Sequence, residues 1–553
     1  MGAAMIREYG CHAPPTRPEP DDVRFLVCND RPDNDSWRTA PTPSANTRPA
    51  YRPSHVNIRP AHCPPTRQHT SRELPAGPST PIAHTARRPA HTRPAHCAPS
   101  RPHPPRPLPM AGDSAVTCGA TTGNASARHQ REPCPRPART KARQHRMPPF
   151  DVPEGDPFGP HNLPYGVFTP PGGTARTVGV RLGDHVLDAG AAALALGSPY
   201  ASLLARPTLN PLLAAGRTAW SDVRRALTAW VTVPSHQEAV AGLLHPLSGV
   251  RLHLPFEVAD YVDFYSSEHH ARNVGQIFRP DAADSLTPNW KHLPIGYHGR
   301  SGTVVVSGTE VVRPSGQRKT PTDAEPVFGP SVRLDIEAEV GFVVGTPSPL
   351  GRPVPLAAFR DHVFGLCLLN DWSARDVQAW EYVPLGPFLG KSFATSVSAW
   401  ITPLDALEEA RVAPPERTHA LLPYLDDSGS DEGPGGYDLR LSVAVNGHVV
   451  SEPPFATMYW TAAQQLAHMT VNGASLRTGD LYGSGTVSGP GPRERGSLLE
   501  LTWNGRDPLA LPGGDRTFLQ DGDEVTLTAW APGPDGARVG LGEVSGRIVP
   551  GER

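Results

Sequence analysis

DFYSSEHHARNVGQIFR, from Asp263 to Arg279, sets an acid, a tyrosine, two adjacent histidines and two arginines in one short stretch. Such a set could hold a metal, run acid/base chemistry, or form an ordinary polar loop. The stretch alone does not choose between His269 and His270. Farther on, LDIEAEVGF carries Glu337 and Glu339. On a strand, residues i and i+2 share a face, so Ile336, Ala338 and Val340 would point the other way, into a core. A solvated strand face explains a lone E-x-E pair. Burial of the pair would instead require a cation, because like charges repel more strongly as water is removed. The apolar run VFGLCLLN ends at Asp371, as a buried strand delivering an acid to its rim would. Asp371 alone would also serve as a turn former or helix N-cap. Together with Asp263, Glu337 and Glu339 it would make a four-carboxylate, all-oxygen site suited to Mg²⁺ or Ca²⁺. Four carboxylates exceed the charge of one divalent ion, which gives Lys391 and Arg375 a role as nearby cations.

The elements that must position these residues are mainly strands. YGVFTP and TVGVRLGDHVLDAG alternate apolar residues, with a tight turn at Gly183–Asp184. Residues 191–245 show helical spacing, and HPLSGVRLHLPFEVAD returns to extended structure. A boundary near residue 256 would separate a small barrel-like domain with helices (147–256) from a larger catalytic domain (257–553). The larger domain reads as strands in GTVVVSGTEVVRP, VRLDIEAEVGFVVG, LRLSVAVNGHVVS, SLLELTWNG and DGDEVTLTAWAP. Helices are expected from PLAAFRDHVF and in MYWTAAQQLAHMTVNG. The spacing is too short for repeated βαβ units, so the fold class is mostly β (α+β), rolled or barrel-like.

Two motifs are decoys. GPFLGKS (386–392) has three residues, Pro387 among them, where a phosphate loop needs four before Gly-Lys, and no long helix follows. GSGTVSG (483–489) misses the dinucleotide spacing by one and lacks the strand-turn-helix context.

Composition divides the 553 residues unevenly. Residues 1–146 hold 26 of 67 prolines and 6 of 7 cysteines, with a formal charge of +12 against −14 for the remainder. The first segment repeats RPAHC, carries closely spaced Pro and has no long apolar run, so it is expected to be disordered. A basic tail of this kind would suit nucleic acid. Its Arg-over-Lys, Pro/Ala-rich character equally suits a leader upstream of a start at Met147, and this is the reading adopted, with no nucleic-acid partner. Beyond it the single cysteine is Cys367, which excludes a disulfide framework there and fits a cytoplasmic location. No stretch reaches the apolar length of a membrane span.

The combined motifs resemble the fumarylacetoacetase (fumarylacetoacetate hydrolase) family, whose members hydrolyse a carbon–carbon bond in 4-fumarylacetoacetate at the end of tyrosine breakdown. The resemblance runs through NLPYGVF, the DFYSS stretch, LTPNWKHLPIGYHGR, NDWSARDVQAWEYVPLGPFLGKSF and MYWTAAQQL. It implies a small SH3-like N-terminal barrel, a C-terminal β-roll catalytic domain and a homodimer. It implies that Asp263, Glu337, Glu339 and Asp371 bind Mg²⁺ or Ca²⁺, with Lys391 and Thr395 beside the metal. Tyr265, Arg279, Gln378, Tyr382 and Thr486 match substrate-contacting positions. Of the two histidines it selects His270, seven residues after Asp263, as general base, with Glu500 as its partner. Lys391 and Arg375 are implied as cations for developing negative charge. Decarboxylases, hydratases and other dicarbonyl hydrolases share the fold and are the nearest alternatives.

Overall fold

The chain, seen in a computed structural model, is described at residues 150–429, 433 and 435–551; the expected leader over 1–146 and the Met147 start lie outside the described residues. Leu163 to Leu182 shows the local logic of the first part. Tyr165–Thr169 is wholly buried, and Thr177–Leu182 turns through Gly183 (φ +57°) into His185–Asp188. A positive φ is open to glycine at little cost, so the expected tight turn forms where it was read. The helical region resolves into several short helices and one long one, Arg217–Thr232. That helix buries Ala219, Trp220, Val223, Leu227, Trp230 and Val231 at three- and four-residue spacing.

The largest sheet has thirteen strands, and its main path explains how the acids come together. In space it runs Leu244–Pro246, His185–Asp188, Thr177–Leu182, Tyr165–Thr169, Trp400–Pro403, Val363–Asp371, Ala338–Val344, Leu481–Gly483, Tyr261–Phe264, Gly296–His298. Tyr165–Thr169 pairs with Trp400–Pro403, so hydrogen bonding is continuous across the expected boundary near residue 256. The core follows the sheet: Tyr165, Val167 and Val180 pack in one cluster with Cys367, Leu369 and Ile401. The strand order is an open path, not a closed ring. The described residues are therefore mostly sheet with some helices, and contain no closed barrel. A second sheet of five strands is built on the long Glu524–Pro532 and Arg538–Val549 pair.

Two expectations for individual elements change, and one open reading is decided. PLAAFRDHVF gives only a 3-10 turn and one helical turn (Phe359–His362) before the Val363–Asp371 strand begins, because its β-branched, apolar continuation is claimed by the sheet. SLLELTWNG is not a strand: Leu498–Leu501 is a single helical turn, N-capped by Ser497. The DFYSS stretch is not a loop. It is a strand, Tyr261–Phe264, followed by the helix Glu268–Phe278, whose N-cap Ser267 accepts from the His270 amide at 3.2 Å. The MYWTAAQQL helix forms over Ala462–Thr470 with a reciprocal Thr461/Gln464 capping box.

Candidate active site

The sheet register carries the acids to one place. Asp371 ends its strand opposite Thr395, Glu339 lies one strand over opposite Leu369, and Asp263 sits beyond Gly483, which pairs with it. Ile336, Ala338 and Val340 point into the main core, as alternation requires, leaving Glu337 and Glu339 on the other face. The carboxylates of Asp263, Glu337, Glu339 and Asp371 converge, each offering one oxygen within 4.8 Å of the others, and all four are buried. The solvated-face reading of the E-x-E pair is thereby excluded.

Two cations lie against this cluster. Lys391 Nζ donates to Glu337 Oε2 at 2.5 Å, to Ser373 Oγ at 2.9 Å and, in a short contact, to Asp371 Oδ2. Arg375 donates to Glu337 Oε1 at 2.7 Å and to Asp335 Oδ2 at 2.8 Å. Thr395 donates to Asp371 Oδ1 at 3.1 Å, and Tyr297 donates to Asp263 Oδ2 at 2.6 Å. The fields divide the four acids. Burial raises the pKa of Glu337, but Lys391 and Arg375 outweigh it and hold this carboxyl well below its ordinary range. Burial and the neighbouring acids push Asp263 up to about 8 and raise Glu339 well above its usual value. Burial also raises Asp371, although Lys391 opposes it.

The donor set fits a hard divalent cation. It is all oxygen, and Asp263 Oδ1 and Glu339 Oε1 are buried without a hydrogen-bond partner. A buried acceptor left unmatched is costly unless something electropositive faces it. The upward shifts of Asp263 and Glu339 say the same: Lys391 and Arg375 do not supply enough positive charge for four ionised acids.

Beside the cluster stands a buried pair. His270 Nδ1 lies 2.7 Å from Glu500 Oε2, and both side chains are essentially inaccessible. A carboxylate oxygen accepts, so Nδ1 carries the proton and Nε2 is left as the lone-pair nitrogen. Nε2 itself is buried without a protein partner. Glu500 is further held by Asn273 (2.8 Å), Ser497 (2.8 Å) and Ser488 (3.1 Å). Burial raises its pKa, yet His270 and these donors outweigh burial and bring it below the ordinary value. His270 lies seven residues after Asp263, and its ring stands 5.3 Å from that of Tyr265, two residues after the same acid. A cavity of about 300 Å³ is lined by Arg300, Phe388 and two residues that hydrogen-bond to the acids, Tyr297 and Lys391.

Residues 260–549 match the family model described as fumarylacetoacetate (FAA) hydrolase C-terminal, and residues 161–255 match the one described as fumarylacetoacetase N-terminal. The chain belongs to the fumarylacetoacetate hydrolase family. The fumarylacetoacetase of Arabidopsis thaliana is 45% identical over 420 residues, covering 72% of this chain and 98% of its own length. That of Homo sapiens is 44% identical over 415 residues, with the same coverages. A solved fumarylacetoacetate hydrolase from psychrophilic Exiguobacterium antarcticum aligns with 70% of this chain and 99% of its own at 16% identity and a TM-score of 0.41.

The other positions that the family resemblance singled out differ in how near they come to this centre. Tyr265 is buried with its ring edge-on to His270 at 5.3 Å. Gln378 is buried on the Arg375–Glu381 helix and accepts from Arg375 at 3.2 Å. Tyr382 caps the end of that helix and shares an apolar cluster with Tyr265, Trp290 and Leu499. Thr486 is buried, its hydroxyl without a protein partner. Arg279 follows the Glu268–Phe278 helix and donates to the Ser285 carbonyl at 2.5 Å, at the opposite end of the helix from His270. His269 is half-buried on the same helical turn as His270.

Several builders of the site lie in the two decoy motifs. GSGTVSG is no nucleotide loop, but it walls the acids. A Cβ on Gly483 would come 2.7 Å from Glu339 Oε2, and the Gly485 amide (φ +76°) donates to that oxygen at 3.1 Å. Ser488 of the same loop holds Glu500. GPFLGKS delivers Lys391, with Gly390 packed so closely that a Cβ would meet the Gln378 amide at 2.8 Å. Tyr297 and Asn273 carried no signal of their own, being polar residues whose partners are remote in sequence, whereas Ser497 caps its own turn three residues before Glu500.

Proposed function

We propose that this chain hydrolyses the carbon–carbon bond of 4-fumarylacetoacetate to fumarate and acetoacetate, the last step of tyrosine and phenylalanine breakdown. The observation that carries the reading is the buried His270–Glu500 pair, its Nε2 unpartnered, beside four converging carboxylates.

Asp263, Glu337, Glu339 and Asp371 would hold Mg²⁺ or Ca²⁺, with Lys391 and Thr395 orienting Asp371. A divalent ion held there supplies Lewis acidity to a 1,3-dicarbonyl. His270 Nε2 takes a proton from water as the water oxygen attacks the carbonyl carbon on the fumaroyl side. Glu500 fixes the tautomer that leaves Nε2 free and stabilises the imidazolium once formed. The bond between that carbon and the acetoacetate carbon then breaks, its electron pair leaving with acetoacetate, whose carbon regains the proton. Lys391, Arg375 and Gln378 furnish donors for developing negative charge; loss of one such donor typically costs about 2.7–4 kcal/mol of barrier. Arg279 and Tyr265 receive a substrate carboxylate, and Tyr382 and Thr486 complete the binding surface. Arginine suits the first task because its planar fork pairs with both carboxylate oxygens.

The reading extends to architecture: an SH3-like small barrel over 147–256, a β-roll catalytic domain over 257–553, a homodimer and a cytoplasmic location. Exposed Phe328, Leu385 and Phe388 support an interface between copies. Among the described residues no helix is long and apolar enough to cross a membrane. The test is turnover of 4-fumarylacetoacetate with product identification. Fumarate and acetoacetate in equal amounts support the reading. Turnover of other dicarbonyl compounds but not of this one would replace it.

A further inference from the structure

Asp335 lies in neither the acid cluster nor the histidine pair, yet it touches the supports of both. It is fully buried at the end of a two-residue strand, two positions before Glu337. Oδ1 accepts from the Ile336 amide at 2.7 Å and from the Leu498 amide at 2.7 Å. Oδ2 accepts from the Leu499 amide at 3.0 Å and from Arg375 Nε at 2.8 Å. Leu498 and Leu499 open the turn whose next residue is Glu500, and Arg375 reaches on to Glu337. One carboxylate thus grips the Arg375–Glu337 arm of the acid cluster with one side. With both oxygens it grips the backbone that carries Glu500.

We propose that Asp335 is a positioning residue that sets the acid cluster and the His270–Glu500 pair at a fixed separation. The inference rests on the roles proposed above for His270 and Glu500. Its physical basis is that the reaction needs the activated water and the polarised carbonyl in register, and small misplacement lowers the rate steeply. The Leu498–Leu501 turn is too short to hold itself, since a single helical turn fixes several dihedral angles for very few hydrogen bonds. Its amides need an external acceptor, and Asp335 provides two oxygens 163 residues away in sequence. No neutral isostere can do this. In Asp335→Asn the side-chain NH₂ must face either Arg375 Nε–H with the Leu499 amide, or the Ile336 and Leu498 amides, and either way donors meet donors.

The test is a double-substitution cycle on kcat, with the full chain saturated with Mg²⁺. Asp335→Asn should lower kcat roughly 10–100-fold in the parent background, the range for groups that orient functional ligands. In an Glu500→Gln background, where the supported group is already disabled, the same substitution should cost less than about 3-fold, because residues acting as one unit are not additive. Asp335→Glu, which keeps the charge, should recover part of the loss and is the fallback if the Asn variant does not fold. Equal fold-losses in both backgrounds, or no loss in the parent, would overturn the proposal. A Glu500→Gln enzyme with undiminished kcat would instead remove the role of Glu500, and absence of turnover by the parent chain would remove the reading and the inference together.

Discussion

Replacing Glu500 by Gln keeps the side-chain volume and removes one negative charge at a site with no access to water. The cost can be worked from its contacts. The 2.7 Å bond from His270 Nδ1 is the charge-assisted one, and such bonds contribute about 1.5–3 kcal/mol. If all of that is expressed when the imidazolium forms, kcat falls roughly 10–150-fold. The larger effect comes from the tautomer. Asn273 donates to Oε1, and Ser488 and Ser497 donate to Oε2. A Gln that keeps its oxygen toward the Asn273 NH₂ turns its own NH₂ toward His270. Nδ1 must then accept, the proton moves to Nε2, and the general base is lost; the corresponding change in a Ser-His-Asp triad costs about 10⁴ in kcat. A loss between about 10²- and 10⁴-fold is therefore expected, with KM changed little, read from the decay of 4-fumarylacetoacetate absorbance at saturating Mg²⁺. A variant within about 3-fold of the parent kcat would refute the pairing as a catalytic device. Stability gives an independent check on sign. The folded-state pKa of Glu500 is depressed, so its ionisation stabilises the fold above the unfolded carboxyl range and this contribution is lost as pH falls through the folded value. Glu500→Gln should flatten that part of the acid limb of a pH–stability profile.

His270→Ala should abolish turnover while calorimetric Mg²⁺ binding and the thermal transition stay close to the parent; substantial residual kcat would contradict the assignment. Lys391→Met leaves Glu337 and Asp371 without their shared cation, and breaking a buried pair from one side typically costs about 3–5 kcal/mol, which a denaturant melt of chelator-treated protein would show. With Asp263 raised to about 8 in the metal-free cluster, its carboxyl is largely protonated at pH 7, so Mg²⁺ binding should release protons. Calorimetry in buffers of differing ionisation enthalpy measures that release, and zero net release would contradict the shift. The raised pKa also means that this acid's contribution to metal-free stability is lost as pH rises toward about 8, so Mg²⁺ should raise Tm more at pH 8 than at pH 6.

The direction of Glu337 and Glu339 was legible because strand alternation is a local property, announced by Ile336, Ala338 and Val340, whereas their meeting with Asp263 and Asp371 is set by long-range strand pairing. What the sequence concealed was long-range. Leu498–Leu501 reads as a strand on side-chain propensity and folds as a helical turn because Ser497 and Asp335 accept its amides. Asp335 is invisible as a support because, apart from the adjacent Ile336 amide, its partners come from segments 40 and more than 160 positions away. The Glu268–Phe278 helix did leave a trace in its Ser267 cap and in Ala271 and Val274, buried at helical spacing, but charged residues between them masked the period. The glycines of GSGTVSG miss the dinucleotide spacing because they serve another end: Gly483 leaves room for Glu339, and the Gly485 amide donates to it. The shape of the small N-terminal sheet was the least legible, since its edge is completed by a strand more than 200 residues later.

The most direct test of the account is to strip the full chain with chelator and follow 4-fumarylacetoacetate as Mg²⁺ is restored. The account requires that turnover be lost on stripping, return with the ion, and yield fumarate and acetoacetate. Undiminished turnover after complete stripping, or none from folded protein shown to have bound the ion, would contradict it.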